Sequence, residues 1–157
     1  LSRLDEDQTP VSRAPVDLHT IAQECIETLT PAAEKRGIVL QLEGGSTVVH
    51  GEKDSLWELV YNLMDNAIRY NRVNGTVTVT LKDHSIAVSD TGIGISPEHQ
   101  ERIFERFYRV DKSHSRATGG TGLGLSIVKH VAERHNAKIS LESTVGVGTT
   151  ITVTFPE

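Results

Sequence analysis

The sequence is poor in the features that would commit it to several common classes. A single cysteine, Cys25, stands among 157 residues. No internal disulfide can form, and its place in a helical pattern makes the thiol a small core residue of a reducing compartment. Aromatic residues are only 4% of the chain, and no apolar run approaches the roughly 18 residues of a membrane span. No signal-peptide pattern opens it. Basic residues are outnumbered, 16 against 21 acidic, for a net charge of −5. With no basic tract either, nucleic acid is set aside as a partner. There are no internal repeats and no low-complexity segment. What remains is an ordinary globular composition, 37% hydrophobic and 24% charged. Its length suits one domain with a real core and is short for two.

The chain opens without methionine, at "LSRLDEDQTP", and is expected to be a piece of a longer protein. Residues 1–15, polar and carrying Pro10 and Pro15, read as a helix end running into a linker. "VDLHTIAQECIETLTPAAEKRG" follows with apolar residues at helical spacing, Pro31 as a kink or restart and Gly37 as a stop. "IVLQLEG" and "TVVHG" read as short strands, and a helix is expected from about Asp54 to Tyr70. "TVTVTLKDHSIAVSD" is a hairpin turning near Lys82–Asp83. "SPEHQERIF" begins a helix with a Ser cap and a proline at the first position. A polar, glycine-bearing loop from about Asp111 to Gly122 leads into the helix "GLGLSIVKHVAERH", on which His130 and His135 read as surface positions. A terminal hairpin turns around Gly146 and Gly148. Helices between hairpin-paired strands argue an α+β fold, a mixed and mostly antiparallel sheet covered on one face by helices.

The informative stretch is "NLMDNAIRY", Asn62 to Tyr70. Asparagine is a poor helix-interior residue, roughly 0.5 kcal/mol worse than alanine, yet two stand one turn apart. Leu56, Leu59, Val60, Leu63, Met64, Ala67 and Ile68 form one apolar stripe, and Asn62, Asn66 and Tyr70 line its edge at i, i+4, i+8. Solvated boundary residues would fit that line. So would uncharged oxygen ligands for a hard cation already neutralised by phosphates, since magnesium takes only one or two protein oxygens.

Two glycine loops are candidate partners. "SDTGIGI" carries Asp90, Gly92 and Gly94; "GGTGLGLSIVK" carries Gly119, Gly120, Gly122 and Gly124. The second has P-loop spacing, but Leu125 replaces the lysine, and neither loop has the third dinucleotide-fold glycine. The second does run straight into a helix, where free N–H groups and the dipole favour phosphate. In the first, Asp90 ends a strand, where its carboxylate can accept from an exocyclic amine, and the glycines let the backbone approach a flat ligand. A plain turn and a plain connector remain the alternatives for each loop alone.

Taken together, "NLMDNAIRY", "DTGIGI", "IFERFYR", "GGTGLGLSIVK" and the terminal "GVGTTITVTFP" resemble the catalytic ATP-binding domain of sensor histidine kinases. This is the Bergerat fold of the GHKL superfamily. The resemblance covers residues 16–157 and implies a two-layer α/β sandwich with nucleotide between helices and a lid. It makes residues 1–15 the end of a dimerisation helix and linker. By that resemblance Asn66 holds Mg2+ and Asn62 organises the same site. Arg69 reaches the phosphates of ATP, and Tyr70 lies by the base or sugar. Asp90 binds the adenine amine above a floor shaped by Gly92 and Gly94. "FERF" (Phe104 to Phe107) anchors the lid. Lys112, Arg116, Gly120, Thr121, Gly122, Leu123, Gly124 and Leu125 lie on the lid or close over the triphosphate.

ATPases of this fold carry a glutamate one turn before the magnesium asparagine; here that place holds Asn62, which cannot take a proton. Glu58 lies a further turn back, about 6 Å along the axis. The resemblance therefore implies a kinase rather than a hydrolase. Its acceptor histidine would sit in a dimerisation domain of the same parent, and a response-regulator receiver domain would follow in the relay. None of the seven histidines has the acceptor context. The fragment is expected to be monomeric, the parent a homodimer anchored in the bacterial inner membrane with this domain in the cytoplasm. An anti-sigma-type serine kinase and a non-catalytic nucleotide-sensing module are the alternatives.

Overall fold

The computed structural model describes residues 13–100, 102–105 and 124–157. In chain order these form β1 (Ala14–Asp17), α1 (Leu18–Glu34), β2 (Val39–Glu43), β3 (Val48–Gly51), α2 (Lys53–Arg69), β4 (Thr76–Lys82) and β5 (Ser85–Asp90). They continue with α3 (Pro97–Gln100), α4 (Gly124–Arg134), β6 (Lys138–Thr144) and β7 (Gly148–Thr154). The main sheet has five strands in the order β2-β4-β5-β7-β6. Only β2 and β4 are parallel; the other neighbours are antiparallel.

Alternation along the central strands decides which face is covered. Val77, Val79 and Leu81 of β4, Ile86 and Val88 of β5, and Ile151 and Val153 of β7 point into the core. The residues between them, Thr78, Thr80, Ala87, Thr150 and Thr152, lie on the other face, as a period of two requires. The stripe expected on α2 is the stripe observed, and all seven of its residues are buried. The helices lie on one face of the sheet, so the architecture is a two-layer α+β sandwich. Cys25 is fully buried within it, and burial pushes its thiol up to about 12. Among the described residues no helix is long and apolar enough to cross a membrane.

Four local expectations change. Residues 14 and 15, read as linker, belong to a strand: Ala14 pairs with Gly51 and Pro15 with His50 in a separate two-stranded sheet. Proline is tolerated there because the strand has only one neighbour. Helix α1 runs unbroken through Pro31 to Glu34. Among the described residues the helix read from "SPEHQERIF" is limited to Pro97–Gln100. His135, read as a surface residue, is buried. Its Nδ1 meets the Val131 carbonyl at 2.8 Å, and its Nε2 accepts from the Glu52 N–H at 3.1 Å. Burial holds its pKa below the usual value. A side chain at Gly51 would lie 2.6 Å from its ring, so β3 ends on glycine.

The hairpin between β4 and β5 turns on Asp83 and His84, with φ of +47° and +63°. Two left-handed residues make the primed turn whose twist matches the strands. That fixes the register carrying Asp90 to the far end of β5, opposite Val77 and Thr149.

Candidate functional site

The edge of α2 comes first. The Asn62 carboxamide donates from Nδ2 to the Glu58 carbonyl at 2.7 Å, which turns its oxygen outward. That oxygen faces the start of α4, where a side chain on Gly124 would lie 3.2 Å from it. The fold thus brings the last glycine of the second loop onto the first asparagine, 62 positions earlier in the chain. Among the described residues the half-buried Asn66 carboxamide makes no hydrogen bond, so it is available to a ligand. Arg69 turns back along the helix, its Nε pairing with Asp65 at 2.8 Å.

Helix α2 stops at Tyr70, and there the first glycine loop meets it. The Ile93 N–H donates to the Tyr70 carbonyl at 3.2 Å. A side chain on Gly92 would lie 2.3 Å from that same oxygen, so glycine is required for the approach. Gly94, at φ +75°, passes as closely to the Thr144 carbonyl of the terminal hairpin. The loop is therefore wedged between α2 and the hairpin.

Asp90 sits at the mouth of this wedge. Its Oδ1 accepts from the Gly92 N–H at 2.8 Å and the Thr149 N–H at 3.3 Å. Its Oδ2 accepts no hydrogen bond from the described residues. Burial raises the carboxyl to about 6, against the two N–H bonds, which lower it. At neutral pH it is an ionised, desolvated acceptor with one oxygen uncommitted, a strong partner for a donor on a flat ligand.

Three residues of this region carry no signal that pattern reading uses. Asn71 is buried, its Nδ2 donating to the Thr76 carbonyl at 3.0 Å while its Oδ1 accepts from the Arg72 N–H and the Thr91 hydroxyl. Arg72 donates to the carbonyls of Thr91, Gly92 and Gly146. From α1's end Arg36 reaches the carbonyls of Ile68, Arg69 and Asn71, covering the exposed end of α2. The side-chain bonds of Arg72 and Arg36 are made across the fold, 19 to 74 residues apart in the chain, so only the tertiary structure shows them.

Of the remaining expected residues, Lys112, Gly120, Thr121, Gly122 and Leu123 lie outside the described residues, as do Phe107, Tyr108 and Arg116. Phe104 packs against the core. Gly124 and Leu125 are the first two residues of α4. The Leu125 side chain is buried, which leaves its backbone N–H as the group it can offer at a helix start. Among the described residues no group of three or more His, Cys, Asp or Glu could hold a metal. A divalent cation would depend on the carboxamide oxygens of α2 and on a ligand's own phosphates, the arrangement that suits magnesium.

The candidate residues thus comprise the Asp90 carboxylate beside the glycine loop and, further back along α2, two carboxamides, one of them facing the start of α4. Comparison with known proteins shows the family. Residues 51–157 match the family model for histidine kinase-, DNA gyrase B- and HSP90-like ATPases. The chain is 42% identical over 161 residues to the sensor-like histidine kinase SenX3 of Mycobacterium tuberculosis, covering 99% of this chain and 39% of that protein. It is 40% identical to the sensor histidine kinase RppB of Synechocystis, covering 99% and 36%. The chain therefore spans about two fifths of the length of these curated relatives. A solved structure of the mycobacterial sensor histidine kinase MprB superposes with a TM-score of 0.79 at 26% identity, covering 92% of this chain and 97% of that one. The catalytic domain of histidine kinase ThkA does so at 0.80 and 24%, covering 93% and 98%, which bears on the fold alone.

Proposed function

The chain belongs to the histidine kinase-, DNA gyrase B- and HSP90-like ATPase family, and from that premise we propose that it binds Mg–ATP and donates the γ-phosphate to a histidine of a neighbouring domain. That domain is the dimerisation domain of the same parent; a response-regulator receiver domain then takes the phosphate onward. The parent is a homodimer of the bacterial inner membrane with this domain on the cytoplasmic side.

The observation that carries the reading is the pairing of Asn62 with Gly124, which brings an oxygen-ligand helix edge and a helix N-terminus to one place. Asp90 accepts the exocyclic amine of adenine through Oδ2, while Gly92 and Gly94 keep the floor flat. The ring of Tyr70 lies against the base or sugar. Asn66 presents its side-chain oxygen to the metal, and Asn62 organises the same site. Magnesium, when bound, supplies charge neutralisation of the phosphates. The N–H groups opening α4, from Gly124 and Leu125, point at the phosphate chain. Lys112, Gly120, Thr121, Gly122 and Leu123, outside the described residues, are further triphosphate-binding residues by the resemblance. Arg69 exchanges its Asp65 partner for a phosphate oxygen.

Catalysis of this kind is positioning and charge neutralisation rather than covalent chemistry by the protein. No general base for water stands at Asn62, whose amide nitrogen is already committed to the Glu58 carbonyl. The γ-phosphate is thus held for a better nucleophile, the neutral imidazole of the acceptor.

The test is a calorimetric titration with a non-hydrolysable ATP analogue, with and without magnesium, on the wild type and Asn66→Ala. Magnesium should tighten binding to the wild type, and Asn66→Ala should remove about tenfold of that affinity, a loss of about 1.4 kcal/mol. Binding without magnesium should be unchanged. The chain alone should release phosphate slowly and should not phosphorylate itself; rapid steady release would overturn the kinase reading.

A further inference from the structure

Asp90 does not hold its own position. Its Oδ1 is oriented by two backbone N–H groups from different parts of the chain, Gly92 at 2.8 Å in the loop after β5 and Thr149 at 3.3 Å in β7. The direction of Oδ2 therefore depends on the gap between that loop and the start of the terminal strand. Arg72 spans the gap on its α2 side, beside the Gly146 N–H that donates to the Ile93 carbonyl at 2.9 Å and the Ser143 hydroxyl that accepts from the Ile95 N–H at 2.7 Å. Arg72 donates from Nε to the Thr91 carbonyl at 2.7 Å, and from Nη2 to the Gly92 carbonyl at 3.3 Å and the Gly146 carbonyl at 2.7 Å. Two of these oxygens flank the first donor; the third stands three residues before the second.

Arg72 is an exposed residue just beyond the end of α2, and all three of these bonds end on main-chain oxygens. The rigid planar fork of the guanidinium lets it reach both segments at once. Its root is fixed as well. The buried Asn71 accepts the Arg72 N–H at 2.8 Å and the Thr91 hydroxyl at 3.1 Å, and donates to the Thr76 carbonyl.

We propose that Arg72, seated by Asn71, is a positioning residue for base recognition: by fixing the separation of the Gly92 and Thr149 N–H groups it aims the Asp90 carboxylate and sets the preference for a 6-amino over a 6-oxo purine. The inference rests on the reading of Asp90 as the acceptor of the exocyclic amine. Arg72 touches no nucleotide atom itself. Its contribution is specific to ligands that use Oδ2, which separates it from a residue that merely braces the fold.

The experiment measures dissociation constants for Mg–ATP and Mg–ITP by calorimetry on the 157-residue chain, for the wild type, Arg72→Ala and Arg72→Lys, with thermal melts of each. ITP carries an oxygen where ATP carries the amine. The wild type should prefer ATP by at least about tenfold, the worth of one hydrogen bond to a charged group. Arg72→Ala should weaken ATP about tenfold and ITP less than about threefold, so the preference collapses. Arg72→Lys should recover little of it, because an ammonium reaches one segment at a time. If Arg72→Ala does not fold, the lysine variant decides. A wild type that prefers ATP beside variants that keep the preference, or that lose both nucleotides equally, would overturn the role of Arg72 and leave Asp90 standing. A wild type with no preference would overturn the reading of Asp90 and the inference with it.

Discussion

The two ends of the proposed nucleotide site are built differently. At the proposed base end, Asp90, Gly92 and Gly94 are fixed by bonds from three directions: the end of α2, the loop itself and the terminal hairpin. At the proposed phosphate end, Asn62 bonds one turn back, Arg69 pairs with Asp65 on its own helix, and Asn66 makes no hydrogen bond with described residues. A base is rigid and flat, so a preformed slot costs nothing in fit and saves ordering entropy on binding. A hydrated metal–triphosphate is more variable, and the Asn66 carboxamide, unbonded among the described residues, can turn to meet it. Each end can be disturbed separately, and the consequences should differ in kind.

The largest effect should come from the base end. A methyl group on Gly92 would lie 2.3 Å from the Tyr70 carbonyl and 3.0 Å from the Asn71 Cα, both backbone atoms that cannot swing aside. Gly92→Ala must displace either the loop or the end of α2. We expect a stability loss of about 2–3 kcal/mol, as for overpacking a rigid site. ATP affinity should fall about a hundredfold, some 2.7 kcal/mol. Thermal melts beside calorimetry check both; an unaltered affinity would show that the floor is not preformed.

Asp90→Asn should separate stability from binding. Burial raises the folded-state pKa of Asp90 from 3.8 to about 6, so the folded protein holds this proton more tightly than the unfolded chain does. The group's contribution to stability is therefore fully present below pH about 4 and lost as pH rises through about 6, with a ceiling of about 3 kcal/mol. The asparagine variant carries no such charge. It should melt higher than the wild type at pH 7 by up to that amount, and the difference should vanish near pH 4. His135, whose lowered pKa works in the opposite sense, titrates in both proteins and cancels in the comparison. ATP affinity should move the other way, falling at least about tenfold as an amide donor replaces the acceptor facing the amine. A variant that gains neither stability at pH 7 nor loses affinity would sink the account of Asp90.

This contrast also explains what the sequence could disclose. Period and spacing were enough for the α2 stripe, the β4–β5 hairpin and the line of Asn62, Asn66 and Tyr70, because each is local. The glycines of the first loop were legible as a close approach, read as one to a flat ligand, whereas the neighbours the fold gives them are the Tyr70 and Thr144 carbonyls. Arg72, Asn71 and Arg36 were not legible: they act on carbonyls, which every residue has, so no residue type marks the partner. His135 misled for the same reason. Its position on the helix looked like surface until Gly51, 84 residues earlier, made room for its ring. The strand at Ala14–Asp17 hid behind Pro15, since proline argues against a strand unless an edge is free.

The smallest effect tests the phosphate end. Gly124 opens α4, and its torsion lies outside the left-handed region that would require glycine. Alanine should be the better helix former there by up to about 1 kcal/mol. Yet its methyl would sit 3.2 Å from the Asn62 oxygen, a contact tighter than most, and Asn62 is tethered to the Glu58 carbonyl. The carboxamide must turn by a few tenths of an ångström. We expect Gly124→Ala to keep or slightly raise the melting temperature while magnesium-dependent ATP affinity falls about threefold, or some 0.6 kcal/mol. Affinity without magnesium should hold. The same fall with and without magnesium would mean that Asn62 faces the phosphate chain rather than the metal. No fall at all would mean that its oxygen faces neither, leaving Asn66 as the one carboxamide at that end of the proposed site.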